Sequence, residues 1–304
     1  MFIRYKVMRH VIVFLIAMLL SFRSAAGVAP GLFTVALKAP GGNKNLNLVV
    51  GFRGGINFSQ PLVIHSNEVL QSQTTGRLFE KKYASLFSNF GYQYAFMAMV
   101  YLQASTSLSF EPGFSTYRYN YTTLTGWTNG TDATDYIEYA ASHRNSLSYF
   151  ELPVILRHEF NGNTVTPFVS LGVFYGLMTG AEKRMTSEIT RHTGTASIPY
   201  ETASMVSNNT SSYIRSRMGI SGGGGFFYPL GPVKLMFSID AGLGMNNIVN
   251  ESQRYFNAAT TAGMYDIQDD LKLWSLNLNI GILFNTGTNQ AGKAVECITF
   301  KRKK

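Results

Sequence analysis

The chain has 304 residues, of which 14% are Asp, Glu, Lys or Arg, against roughly 25% in an ordinary soluble domain. Its mean hydropathy is +0.02, so the missing charge is replaced by small polar residues rather than by long apolar runs. A single cysteine excludes an internal disulfide, and the formal charge of +9 is weak evidence for nucleic-acid binding because much of it lies at the two ends.

Arg4, Lys6, Arg9 and His10 precede the ten apolar residues Val11 to Leu20, and Ser24-Ala25-Ala26 follows with small side chains. That pattern predicts a secretory signal peptide over residues 1–26, too short in its apolar part to span a bilayer as a helix. Its removal takes away four basic residues and no acidic one, leaving +5. Residues 27–45 are expected to form a short periplasmic segment. No later stretch of roughly 18 apolar residues predicts a transmembrane helix.

Eight alternating segments then predict strands, since side chains on a strand take opposite faces in turn. Leu46–Phe58 sets Leu48, Val50, Phe52 and Ile56 against Gly51, Arg53, Gly55 and Asn57. Phe90–Gln103 alternates less cleanly, with Met97, Met99 and Tyr101 on its second face. The third segment carries Leu108, Phe110 and Phe114 against Ser109, Glu111 and Gly113. Leu147–Phe160, Thr164–Met178, Met218–Tyr228 and Val233–Asn246 follow, the Gly222–Gly225 run making the sixth segment the faintest. Lys272–Phe284 closes the series, with Trp274, Leu276, Leu278, Ile280, Ile282 and Phe284 opposite Ser275, Asn277, Asn279 and Gly281.

Short connections at Ala104-Ser105, Asn161-Gly162-Asn163 and Leu230-Gly231-Pro232 alternate with long polar ones, about 59–89, 122–145, 179–217 and the stretch before Lys272. This asymmetry predicts an all-β, eight-stranded antiparallel up-and-down transmembrane β-barrel over residues 46–285, with short periplasmic turns and long outer loops. A soluble barrel would turn its apolar parity inward and cover its outside with Lys and Glu. The polar parity here, Gly, Ser and Asn, is too small and uncharged for that surface.

The segments G-F-R-G-G-I-N-F-S at Gly51–Ser59, S-Y-F-E-L-P-V-I-L-R at Ser148–Arg157, P-F-V-S-L-G-V-F-Y-G at Pro167–Gly176 and D-A-G-L-G-M-N-N-I at Asp240–Ile248 resemble the PorT-like outer-membrane β-barrel family common in Bacteroidota. The resemblance implies a cell-outer-membrane barrel in the lipid bilayer, without cofactor and without nucleic acid as a partner. It also implies an accessory role in assembly or secretion, with a periplasmic or secretion-machinery protein as partner.

The inward parity places Arg53, Glu111, Glu151, Arg157, Glu159, Lys234 and Asp240 in a lumen that side chains can fill. Enclosed charges must pair or stay wet, which predicts a salt-bridged plug, with Arg157 and Glu111 as partners. The alternative is a gated path, a narrow channel for small solutes. His65, His143 and His192 fall in predicted outer loops, where histidines are expected to be solvated. No spacing joins them to a nucleophile and an orienting acid, so a lipid A or peptide hydrolase at the outer rim is the weaker reading and no catalytic residue is assigned. Nor does any Cys or His pair suggest a metal.

Tyr117, Tyr119, Tyr121, Trp127, Tyr136 and Tyr139 are read either as a recognition surface or as an aromatic girdle at the membrane interface with a strand extended beyond the membrane, Trp127, Tyr136 and Tyr139 being the candidate partner contacts. Phe79–Tyr83 has the composition of a short amphipathic helix over the mouth. The tail, 286–304, ends in Lys301, Arg302, Lys303 and Lys304, a candidate periplasmic contact for acidic partners or lipids.

Overall fold

A computed structural model describes residues 48–67, 79–129, 132–162, 164–254 and 266–285. The predicted signal peptide, the 27–45 segment and the basic tail lie outside these residues. The described strands all fall within one compact unit.

The described strands pair antiparallel, joined by turns, short 3-10 segments and irregular stretches. Its strands are β1 (Leu48–His65), β2 (Phe79–Tyr83), β3 (Phe90–Gln103), β4 (Thr106–Phe110), β5 (Gly113–Asn129), β6 (Asp132–Glu159), β7 (Thr166–Thr193), β8 (Ala196–Asn208), β9 (Ser216–Leu230), β10 (Val233–Gly244) and β11 (Asp270–Asn285). β1 pairs with β3 on one side and with β11 on the other, Phe52 lying opposite both Phe96 and Ile282. β4 and β5 form one stave broken at Glu111-Pro112, where Phe96 N–H donates to the Pro112 carbonyl and Glu111 N–H to that of Pro153. The ring therefore runs β1, β3, β4/β5, β6, β7, β9, β10, β11 and back to β1, eight staves with no free edge. Such closure satisfies every backbone group within the sheet, as hydrocarbon requires.

The apolar parity faces outward. On β7, Val169, Leu171, Val173, Tyr175 and Leu177 are all exposed, and the outward positions beyond them are Thr179, Glu182, Arg184, Thr186 and Glu188. The change at Leu177 marks one edge of an apolar band of 11 residues from Pro167, close to the 9–11 that a tilted strand needs to cross a bilayer. Short turns sit at the other end. Gly231 there has φ 63 with Pro232 following, the glycine-first arrangement of a primed two-residue hairpin.

The long connections differ from expectation. β6 and β7 each run 28 residues, far more than a membrane crossing uses. Residues 122–129 and 132–145 and most of 179–208 are strand, Tyr121 lying opposite His143 and Met185 opposite both His143 and Met205. Polar outward positions, among them Thr122, Ser142, Arg144, Glu182, Arg184, Thr186 and Glu188, and wide hairpin pairing make these segments sheet that stands in water. Phe79–Tyr83 is likewise a strand, paired from Tyr83 with Tyr121 to Phe79 with Thr125, and not a helix. Cross-strand pairing with a threonine-rich partner overrides its helical composition.

Candidate functional site: a stoppered lumen

The lumen is filled in layers from the short-turn end outward. Val49, Met97, Met99, Phe168, Phe227, Met236 and Leu283 form an apolar cluster at that end. The methionines that blurred the alternation of β3 are therefore interior side chains. At the rim beside them Tyr101 donates to Glu159 at 2.6 Å and accepts from Lys234 at 3.2 Å.

The next layer is ionic. Glu111 is fully buried between two arginines, Arg157 at 2.6 Å and Arg53 at 2.9 Å. Ser109 donates to Glu111 and accepts from Arg157. Asp240 accepts from Ser170, Ser238 and Asn279 and lies 4.0 Å from Arg53. A cavity of about 10 Å³ remains beside Arg53, Glu111 and Glu151, room for about one water. Gly223 admits this layer to the ring: a Cβ there would meet Asp240 Oδ1 at 2.5 Å. The glycine run that made the sixth segment faint is a close approach of backbone to a buried acid.

Above the acid layer stands Arg217, which the sequence reading missed because it precedes the faint segment. Its guanidinium pairs with Glu151 at 3.1 Å and lies over the rings of Tyr117, Phe174 and Tyr149 at 4.5, 4.7 and 5.9 Å. Tyr117, Tyr119, Tyr121, Leu147, Tyr149, Tyr213, Ile248 and Leu273 then close the lumen with an aromatic core. Tyr117, Tyr119 and Tyr121 are thus neither a recognition surface nor an interface girdle. They share the inward parity of Glu111 and Ser115, and the strand simply continues.

A second ionic layer lies beyond the apolar band. The strap 266–269 is buried, and its Asp266 contacts Lys183 at 2.7 Å and Lys81 at 3.0 Å. Asp269 contacts Lys81 at 3.3 Å and accepts from Tyr83 at 2.6 Å. His143 is buried here and not solvated: its ring stacks on Tyr121 at 4.5 Å, and its Nε2 lies 2.9 Å from Thr123 Oγ1. His65 is exposed, while His192 stacks on Tyr136. Trp127 and Tyr139 pack against Met185, Ile189 and Met205 on the sheet's inner face, so Tyr139 is buried rather than presented to a partner.

Thr123, His143 and Asp266 form a line of hydroxyl, imidazole and carboxylate, with Nδ1 4.0 Å from Asp266. With the strap in place the line has no approach for a substrate, since all three side chains are buried. Among the described residues no group of three or more His, Cys, Asp and Glu side chains stands ready to hold a metal.

Burial, reinforced by the Lys183 ammonium, holds the His143 pKa at about 3. Burial alone would raise Asp266, but the Lys183 and Lys81 ammonium groups outweigh it and hold the carboxyl below the usual range. The signs agree. An unfolded chain protonates His143 near pH 6.5 and the folded one does not, so stability falls as pH drops below about 6.5, by about 1.4 kcal/mol per unit. Asp266 adds to the loss at still lower pH. The expected outcome is about 2 kcal/mol less stability at pH 5 than at pH 7.5 by denaturant unfolding in micelles, with His143→Gln flattening that difference.

A closed antiparallel ring with an apolar outer band and a packed interior defines a transmembrane β-barrel. Residues 43–250 match the outer membrane protein beta-barrel domain, and the chain belongs to that family, integral to the outer membrane. No curated protein matches the chain by sequence. Among solved structures, OprG from Pseudomonas aeruginosa is similar over 79% of this chain and 96% of its own, with 12% identity and a TM-score of 0.32. Neisserial surface protein A is similar over 78% and 96%, with 10% identity and a TM-score of 0.29. The outer membrane protease OmpT from Escherichia coli is similar over 79% and 96%, with 10% identity and a TM-score of 0.29. Likenesses at this level say nothing of what this chain does.

Proposed function

We propose that the protein is a non-enzymatic structural component of the outer membrane, a stoppered barrel that anchors the long outer sheet formed by β2 and β5–β8. The observation that supports this reading is the filled lumen: the Met/Phe cluster, the Arg53–Glu111–Arg157 layer, Arg217 and the tyrosine core succeed one another with a cavity of about 10 Å³ between them. A conducting path would have to break a buried ion pair in each ionic layer, and each such break is strongly unfavourable. The resemblance to PorT-like barrels adds an assembly- or secretion-associated role, for which recovery of secretion-machine subunits with the protein from native membranes is the test.

Planar-bilayer recording tests the stopper. The wild-type protein is expected to give no reproducible single-channel steps. Discrete steps whose size changes in Glu151→Ala would replace this reading with a narrow channel for small solutes.

A further inference from the structure

The two ionic layers are built differently. In the membrane layer acids and bases both come from the staves, Arg53 from β1, Arg157 from β6 and Asp240 from β10. In the outer layer both cations belong to the wall, Lys81 on β2 and Lys183 on β7, as do the side-chain groups Tyr83 on β2, Tyr121 and Thr123 on β5 and His143 on β6, while the Asn67 N–H just past β1 also donates to Asp269. Both carboxylates, Asp266 and Asp269, belong to the strap. Two wall charges are matched by two strap charges.

The match in charge is not a match in shape. One Asp266 oxygen takes both the Lys183 ammonium and the Tyr121 hydroxyl, and the other takes Lys81. His143 Nδ1 is buried, faces the same carboxylate at 4.0 Å and has no hydrogen-bond partner. The Asp266 carboxylate facing Nδ1 favours the tautomer that carries its proton there, with Thr123 donating to Nε2, and in that tautomer Nδ1 is an unspent donor aimed into the site. A planar carboxylate has no third oxygen to reach it. A tetrahedral oxyanion has.

We propose that Lys81, Tyr121, His143 and Lys183 form an anion-binding site for a doubly charged tetrahedral oxyanion, a phosphate or sulfate group, which the strap carboxylates occupy as built-in competitors. The strap ends where β11 begins at Asp270, so its release breaks no strand pairing of the ring; it gives up the bonds of Asn67 to Asp269 and the Gln268 carbonyl, of Lys81 to the Ile267 carbonyl and of Gln268 to Tyr213. Lys183 lies six residues beyond Leu177, about 20 Å along the strand from the edge of the apolar band, and faces the interior. That position favours a soluble phosphate or sulfate over a lipid headgroup outside the wall. The site goes beyond the anchoring role and does not depend on whether the lumen conducts.

The test uses the full-length barrel in micelles, its fold checked by the shift in gel mobility on boiling. Asp266→Asn/Asp269→Asn removes the competitor and is expected to bind inorganic phosphate at least tenfold more tightly than wild type by titration calorimetry. Adding Lys183→Met is expected to abolish the gain. Should the double variant fail the mobility check, strap release in the otherwise unaltered chain decides: Ile267→Cys in a Cys297→Ala background should react with a thiol reagent several-fold faster in phosphate than in chloride of equal ionic strength. Vesicles carrying diphosphorylated lipid A form the second arm. A response to them without a response to inorganic phosphate keeps the site and assigns headgroup phosphate as its source. Labelling that neither inorganic phosphate nor the lipid A vesicles changes, or binding that Lys183→Met leaves unchanged, overturns the proposal.

Discussion

Glu111→Ala is expected to lower the stability of the barrel by about 3–5 kcal/mol, because it leaves two guanidinium groups in the lumen without their shared counter-charge. Glu111 is fully buried, so solvent does not screen the loss, and Arg157 is nearly so. Arg53 keeps only Asp240, at 4.0 Å, and Arg157 keeps the Ser109 hydroxyl. The double substitution Glu111→Leu/Arg157→Met is expected to recover most of the loss, since removing both partners of a buried pair strands no charge. Urea unfolding in lipid or detergent, read by loss of the compact gel form, measures both. A single variant as stable as wild type would show that the lumen is wetter than the packed ion pairs imply, and would revive the channel reading.

Much of this interior was legible in the sequence, and the rest failed for two physical reasons. The inward parity that named Arg53, Glu111, Glu151, Arg157 and Asp240 continues unbroken on β5 through Tyr117, Tyr119 and Tyr121, and on β6 back through Tyr149, Asn145 and His143. Those residues were readable by the same rule. The rule was stopped too early, at the point where outward positions change from apolar to Thr, Ser and Arg. That change marks where the membrane ends, and the strand does not end with it.

Lys183 was hidden by a different device. The register slips between Ser148 and Tyr149, which face Gly180 and Met178, so Thr179 is an extra residue on β7. Inward positions are even below it, Ser170 and Gly176, and odd above it, Ala181, Lys183 and Met185. A one-residue bulge inverts every face that follows, and parity carried straight through would have turned Lys183 to solvent. Asp266 and Asp269 belong to an irregular strap with no period to read. The outer ionic layer was therefore invisible as a group, although each of its acids and bases is plain in the sequence.

Arg217→Lys is expected to cost about 2 kcal/mol although the charge is kept. The guanidinium lies over the rings of Tyr117 and Phe174, at 4.5 and 4.7 Å, while Nη1 reaches Glu151 and Nη2 the Leu273 carbonyl. A plane with a fork at its edge can stack on rings and bond sideways at once, and an ammonium cannot. Arg217→Ala goes further, removing the counter-charge of Glu151 and opening a void against three rings. Its expected loss is about 3–5 kcal/mol, tempered because Ser115 and Tyr117 still donate to that carboxylate. Comparing the two variants separates the roles of the group. If lysine and alanine lose equally, planarity and stacking carry the interaction. If lysine loses nothing, charge alone suffices, and the aromatic layer above the membrane core is filler rather than a seat built for Arg217.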